Sequence, residues 1–188
     1  EVAIMDSAGK HLPADGQTQG ELVLRSPWLT QGYYREPEKS AELWEHGWMH
    51  TGDVATLDEL GYIDIRDRIK DVIKTGGEWI SSLELEDLIS RHAAVREVAV
   101  IGVPDPRWSE TPFALVVLHD GQTLDAKGLQ EHLLPYVDEG RINKWGIPRQ
   151  IALVSDIPKT SVGKLDKKLI RVEVAKWQAS NSACLSSV

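Results

Sequence analysis

Two apolar runs constrain this chain more than any other feature. "VREVAVIGVPD" (95–105) and "TPFALVVLHDG" (111–121) are nearly unbroken stretches of valine, isoleucine, leucine and alanine. Such density of β-branched residues reads as strand, and neither run approaches the length needed to span a bilayer. The first is expected to stop at Pro104, and the second at the Asp120-Gly121 turn. Around them the pattern alternates between element types. "KDVIKTGGEWISS" (70–82) reads as two short strands about the turn Thr75-Gly76-Gly77. Ser81 and Glu84 then form a capping box, and Leu85, Leu88 and Ile89 continue it at helical spacing. Asp125 can cap a further helix through Leu134, with Leu129, Leu133 and Leu134 facing inward. "QIALVSD" (150–156) is another strand, and a final helix is expected from about Asp166 to Trp177. The small, polar tail, 179–188, is expected to be disordered.

The upstream third reads differently. "EVAIMD", "GELVLR", "GWMHTGDVATL" and "YIDIR" are strand-like, with the turn "DELG" between the last two and Gly61 free to take positive φ. One helical turn is expected after Pro37. The pattern changes after Arg68, so the chain divides into a β-rich first unit and a compact second unit of order ββαββαβα. The fold class is α+β.

Charge and composition exclude several functions. The chain's 188 residues include 21 Lys and Arg against 29 Asp and Glu, for a net charge of −8. That balance argues against a general nucleic-acid binder, which needs a basic face. It suits a cytoplasmic protein, with attachment at a membrane periphery left open. The single cysteine excludes an intrachain disulfide and a cysteine metal cluster. The six histidines show no metal-ligand spacing, and no G-x-S-x-G occurs. The chain opens in what reads as a strand, without methionine, as the middle of a longer protein does.

Three stretches could carry chemistry. In "PKTSVGKLDKK" (158–168), Lys164 follows Gly163 on a loop ahead of the last helix. It is not a Walker A loop, because Pro158 replaces the first glycine and Leu165 the magnesium-binding hydroxyl. A lysine there is either a solvated surface charge or a point charge for phosphate or carboxylate oxygens. In "WMHTGD" (48–53), Asp53 could accept two hydrogen bonds from a vicinal diol, or simply serve its own turn. In "RDRIKDVIKTGGEW" (66–79), basic residues alternate with apolar ones, as on any half-exposed strand. Gly76 and Gly77 make either a plain hairpin turn or a place where a ligand passes close to backbone.

Together and in this order, "GELVLRSPWLTQGYY", "GWMHTGD", "GYIDIRDRIKDVIKTGGEWISSLELED" and "IPKTSVGKLDKKLIR" resemble the C-terminal part of the adenylate-forming acyl-CoA synthetases. The resemblance runs from about Gly20 to Arg171, and "TGGEWISSLELED" is most similar to the medium-chain fatty-acyl-CoA ligases. It implies that residues 1–68 end the large AMP-binding domain, in a distorted barrel subdomain, and that 69–178 form a mobile C-terminal α+β lid. The implied reaction joins a carboxylic acid to ATP, with Mg2+, giving an acyl-adenylate and pyrophosphate. Coenzyme A then displaces AMP.

Position by position, the resemblance makes Asp53 and Arg68 nucleotide-binding, Lys70 the hinge, and Gly76, Gly77 and Trp79 the lining of the CoA tunnel. Lys164 becomes the adenylation lysine. No residue of this chain is implied as a metal ligand. The partners implied are the small-molecule substrates, with a homodimer left open, and no ligand is expected to bind tightly to this chain alone. The family's phosphate loop and acyl tunnel lie upstream of these motifs, so the chain by itself is expected to be inactive. The first unit, without the larger domain, is expected to expose apolar edges. Two other readings stay open: a non-catalytic module binding nucleotide, CoA or protein, and an adenylating domain with another acceptor, such as a carrier protein.

Overall fold

A computed structural model describes residues 1–185, with side chains through Lys176. It contains two compact units, which divide between Lys70 and Asp71.

The first unit is an antiparallel sheet of β1 (Val2–Met5), β2 (Gln19–Leu24), β3 (Met49–Leu57) and β4 (Ile63–Arg68), in that spatial order. Within this unit the sheet is open, with β1 and β4 at its edges. The β3–β4 hairpin closes through Asp58, whose Oδ1 accepts from the Leu60 and Tyr62 amides at 2.9 and 2.8 Å. Gly61 takes the positive φ the turn requires, 86°. Ala3, Met5, Val23 and Trp48 form the buried cluster, with the Arg25 guanidinium 4.2 Å over the Trp48 ring. Edge strand β4 leaves Ile63 and Ile65 exposed. The helix after Pro37 is longer than one turn and spans α1 (Pro37–Leu43).

The second unit is built on β7 (Val95–Asp105) and β8 (Ser109–Leu118), paired from Val95↔Leu118 to Asp105↔Ser109. The hairpin β5 (Ile73–Thr75) and β6 (Glu78–Ile80) joins β8 at one end, and β9 (Gln150–Leu153) pairs parallel with β8 further along. Side chains alternate across this sheet, and both faces are buried. Val98, Val100, Ala114 and Val116 pack on Leu85, Leu88 and Ile89 of α2 (Ser82–Ser90) and Leu129 and Leu133 of α3 (Ala126–Asp138). Ala99, Ile101, Phe113 and Leu115 pack on the opposite face, against Ile157 and against Ile170 and Val174 of α4 (Lys167–Leu185). The apolar runs are continuous because neither face of the sheet meets water.

Both expected caps form: Ser81 Oγ accepts from the Glu84 amide at 3.1 Å, and Asp125 Oδ1 from the Gly128 amide at 2.7 Å.

The sequence expectation fails in three further places. β7 does not stop at Pro104 but pairs through it to Asp105. β7 is an edge strand, and a proline there forfeits no ladder bond on its open side. α3 does not end at Leu134; it continues through Pro135, and Leu134 is exposed rather than inward. Leu129 and Leu133 lie one turn apart on the buried face, and the next residue turns away by about 100°. α4 does not end at Trp177 but runs to Leu185 through a stretch without glycine or proline, into the expected tail; 186–188 lie outside the described residues. No helix among the described residues is long and apolar enough to cross a membrane.

The turn after α2 carries a titratable element. His92 Nδ1 accepts from the Ala94 amide at 3.1 Å, which requires the neutral ring. The His132 ring lies edge-on at 5.0 Å, with its Nε2 2.9 Å from the Leu88 carbonyl. Burial first, and the charge of His132 second, push His92 below its ordinary 6.5. A folded-state pKa below the unfolded one means that this contribution to stability is whole above pH 6.5 and is lost as pH falls through the folded value. Replacing His92 by Asn retains a side-chain acceptor for an amide two residues on and removes the titration. Denaturant midpoints at pH 7.5 and 5.5 should differ less for His92→Asn than for the parent chain; an unchanged difference would place the titration elsewhere.

Candidate functional site

Strand β3 bends where the first candidate residue sits. Gly52 has φ 73°, and its amide donates to Glu21 Oε1 at 3.0 Å. The other Glu21 oxygen meets His50 Nδ1 at 2.8 Å, so one carboxylate on β2 grips β3 at both positions. The Thr51 hydroxyl donates to the Leu22 carbonyl and accepts from the Asp53 amide, at 2.8 and 3.1 Å. These bonds hold the backbone at Asp53. Its side chain faces that of its cross-strand partner Arg68, with Oδ1 3.4 Å from Nε. This pair is loose and the Arg68 side chain is 61% exposed. Exposed pairs of this kind contribute about 0–1 kcal/mol, so a ligand can displace the contact cheaply. Lys70 closes the unit just beyond, where the Ile69 amide donates to the Gly52 carbonyl at 2.9 Å.

The second unit holds the other candidates in two places. Gly76 and Gly77 form the two-residue turn between β5 and β6, both at positive φ, 59° and 92°. The Gly76 amide donates to the Trp108 carbonyl at 2.9 Å. A methyl group on Gly76 would lie 3.1 Å from the Trp108 ring, which would have to give by a few tenths of an ångström, on top of the strain at this φ. The Trp108 and Trp145 rings lie 5.0 Å apart, tilted by 37°. Cations flank both: Arg107 is 4.7 Å from the Trp108 ring centre, and Lys144 is 4.8 Å from that of Trp145. Trp79 stands on β6 with Lys74 5.7 Å over its ring. Trp108 is fixed by a tight turn, since Asp105 Oδ1 accepts from the Arg107 and Trp108 amides at 2.8 and 2.9 Å. Ser109, the next residue, sits at φ 71°, a region costly for a residue with a Cβ.

Sequence reasoning missed the Trp108–Trp145 pair. The signal was present: "DPRW" couples an Asx-turn residue to a tryptophan behind an arginine, and "NKW" repeats the cation–tryptophan order. What the sequence could not supply was their adjacency, across 37 positions of chain.

Lys164 lies on a closed loop. Lys159 and Leu165 form an antiparallel bridge, and the Thr160 amide donates to the Lys164 carbonyl at 2.7 Å. The Gly163 amide returns to the Thr160 carbonyl at 2.9 Å, with Gly163 at φ 79°. The Lys164 amide donates to Thr160 Oγ1 at 3.2 Å. The backbone is thus tied on both sides of the lysine, while its side chain is exposed and has no acidic partner among the described residues of its unit. Its neighbours differ. Lys159 meets Glu97 at 2.8 Å, and that hydrogen bond holds the Lys159 ammonium above its ordinary range.

The candidates therefore fall into three groups: Asp53 with Arg68 in the first unit, the glycine turn with its tryptophans in the second, and Lys164 on its own loop there. The described residues bring together no set of three His, Cys, Asp or Glu side chains suited to a metal ion.

Residues 84–164 match the model of the AMP-binding enzyme C-terminal domain. The chain is 44% identical to the 3-methylmercaptopropionyl-CoA ligase of Ruegeria pomeroyi over 91% of its own length and 30% of that protein's. It is 42% identical to the long-chain-fatty-acid–CoA ligase of Thermus thermophilus, over 93% of this chain and 31% of the relative. The ATP-bound structure of MatB from Rhodopseudomonas palustris superimposes with a TM-score of 0.78 at 32% identity, covering 92% of this chain and 33% of that one. The chain thus spans about a third of the length of the proteins it matches. Residues 84–164 carry the AMP-binding enzyme C-terminal domain, and along nine-tenths of its length the chain is similar to acyl-CoA ligases and to adenylate-forming enzymes of known structure.

Proposed function

We propose that this chain is the C-terminal portion of an AMP-forming acid–thiol ligase, which activates a medium-chain fatty acid with ATP and passes the acyl group to CoA. The observation that carries this reading is the separation of roles along the chain. A carboxylate–guanidinium pair suited to a ribose, Asp53 with Arg68, lies before the division at Lys70, and an exposed lysine on a braced loop, Lys164, lies after it. The resemblance of the flanking motifs and the ATP-bound relative support the same reading.

In this proposal Asp53 accepts hydrogen bonds from the ribose hydroxyls of ATP, Arg68 contacts the same sugar, and Lys70 is the pivot. Attack of a carboxylate on the α-phosphate brings two anions together. The Lys164 ammonium offsets that repulsion as negative charge moves toward the phosphate oxygens in the transition state. Mg2+ would come as part of the substrate, with the triphosphate, and would neutralise part of its charge. The second step needs the thiol to reach the carbonyl that Lys164 attended. A rigid rotation of the second unit about Lys70 withdraws the lysine and brings the Gly76-Gly77 turn to the pantetheine arm. Glycine allows backbone to approach that arm closely. The adjoining Trp108–Trp145 pair, flanked by the exposed cations Arg107 and Lys144, offers aromatic faces and positive charge suited to the adenine and phosphates of CoA. The cytoplasm is the compartment proposed for this work.

Two measurements in the full-length enzyme test the division of labour. Lys164→Ala should lower ATP–pyrophosphate exchange by at least ~10²–10³-fold, the effect of losing one donor aimed at developing charge. Thioester formation from supplied acyl-adenylate should remain near the parent rate; an equal fall in both steps would refute a role confined to adenylation.

Trp108→Ala should do the reverse. The expected result is a rise of roughly tenfold or more in KM for CoA, as for loss of a stacking partner worth about 1–3 kcal/mol. Pyrophosphate exchange should be unaffected. If KM for CoA stayed at the parent value, the aromatic pair would have no part in binding it.

A further inference from the structure

Lys167, the first residue of α4, is buried, with only 9% of its side chain accessible. Its ammonium donates to Ser82 Oγ at 2.7 Å and meets Glu86 Oε1 at 2.8 Å. The same Glu86 oxygen accepts from the Val100 amide, at 2.8 Å, on the open side of edge strand β7. One carboxylate therefore joins α2, the rim of the sheet and the start of α4, although α2 and α4 pack on opposite faces of that sheet.

This is a poor place for a lysine on grounds of stability alone. Burial removes the ammonium from water, and the N-terminal turn of a helix disfavours a cation. A buried ion pair seldom outperforms apolar side chains of the same volume, so its presence here points to a role in fixing position rather than in stability. What it fixes here is the downstream leg of the Lys164 loop. Only Leu165 and Asp166 separate the two lysines. Leu165 is held by its bridge to Lys159, and the Asp166 amide donates to the Pro158 carbonyl at 2.9 Å. Asp166 Oδ1 in turn accepts from the Leu169 amide, at 3.0 Å, and so opens the helix. The upstream leg is tied to β7 by Lys159 and Glu97, but that pair is solvent-exposed and screened. One turn further along α4, Arg171 meets Asp71 at 2.8 Å, which ties the helix to the residue that follows Lys70.

We infer that Lys167 and Glu86 are positioning residues that set where Lys164 stands for adenylation. The inference rests on the adenylation role proposed for Lys164. Neither residue need touch substrate. A displacement of about 1 Å at a catalytic group can cost ~10²-fold in rate, and a loop released at one leg is free to move that far.

The test uses the full-length enzyme with Lys167→Met, Glu86→Gln, the paired apolar replacement Lys167→Met with Glu86→Leu, and Lys164→Ala as reference. Each single variant should lower kcat for ATP–pyrophosphate exchange by roughly 10- to 100-fold. KM for ATP and thioester formation from supplied acyl-adenylate should stay near parent values. The two single variants change the local charge in opposite directions, so losses of the same sign point to geometry. Opposite effects would mean that the pair acts through its field and would overturn the inference. The paired apolar variant should regain thermal stability without regaining exchange activity. Recovery of both together would reduce the pair to a structural role, and so would full activity in the single variants alongside an inactive Lys164→Ala enzyme.

If Lys164→Ala itself remained active in exchange, the proposed function would fail separately. The positioning claim would then be judged by amide hydrogen exchange at Thr160 and Lys164, which should quicken in Lys167→Met. Unchanged protection there would overturn it.

Discussion

Everything in the second unit is referred to the pairing of β7 with β8. Both faces of that ladder are covered by helices, and its inward side chains are valine, isoleucine, leucine, alanine and phenylalanine. At about 25 cal/mol per Å² of apolar surface removed from water, burial on two faces at once is the largest stabilising term available to a unit this small. The helices then have no alternative seat. α2 and α3 take one face and α4 the other, and the loop that leads from β9 into α4 lies on that second face, where Ile157 is buried. Lys164 lies on that loop.

The polar contacts divide by strength in a way that matches their proposed tasks. Asp53 and Arg68 face each other loosely and in partial contact with water, a state from which either can turn to a ligand. Lys167, Ser82 and Glu86 are short, buried and mutually satisfied, a state suited to holding position. Lys164 stands between these extremes, with a backbone tied by the bonds of its loop and a side chain left to solvent. In the proposed function this group meets a phosphate in one step and leaves it in the next, and a firm backbone with an uncommitted tip serves both.

Local reasoning succeeded wherever a short stretch carries its own physics. The Asp58–Gly61 hairpin, the Ser81 and Asp125 caps and the Gly76-Gly77 turn are each decided by a few neighbouring residues. It failed where distant packing overrides a local signal. Pro104 is a strand breaker only if its strand has partners on both sides, and β7 has one. Pro135 and Leu134 mark a helix end only if nothing downstream continues the turn, and α3 continues. Motif order nominated Lys164, Asp53, Arg68, Lys70, Gly76, Gly77 and Trp79 as candidates; it did not nominate Trp108, Trp145, Glu21 or the Lys167–Glu86 pair, whose contacts join distant parts of the chain.

The sequence by itself determined the α+β class, the order of elements and the chemical type of each candidate group, because turn chemistry, capping and apolar alternation act over a few residues. Only the tertiary structure decided that Trp108 meets Trp145, that Glu21 steadies the backbone beside Asp53, and that Glu86 reaches Lys167 around the rim of β7. Those contacts join residues dozens of positions apart. They exist because burying the two apolar strands leaves the rest of the chain few places to go.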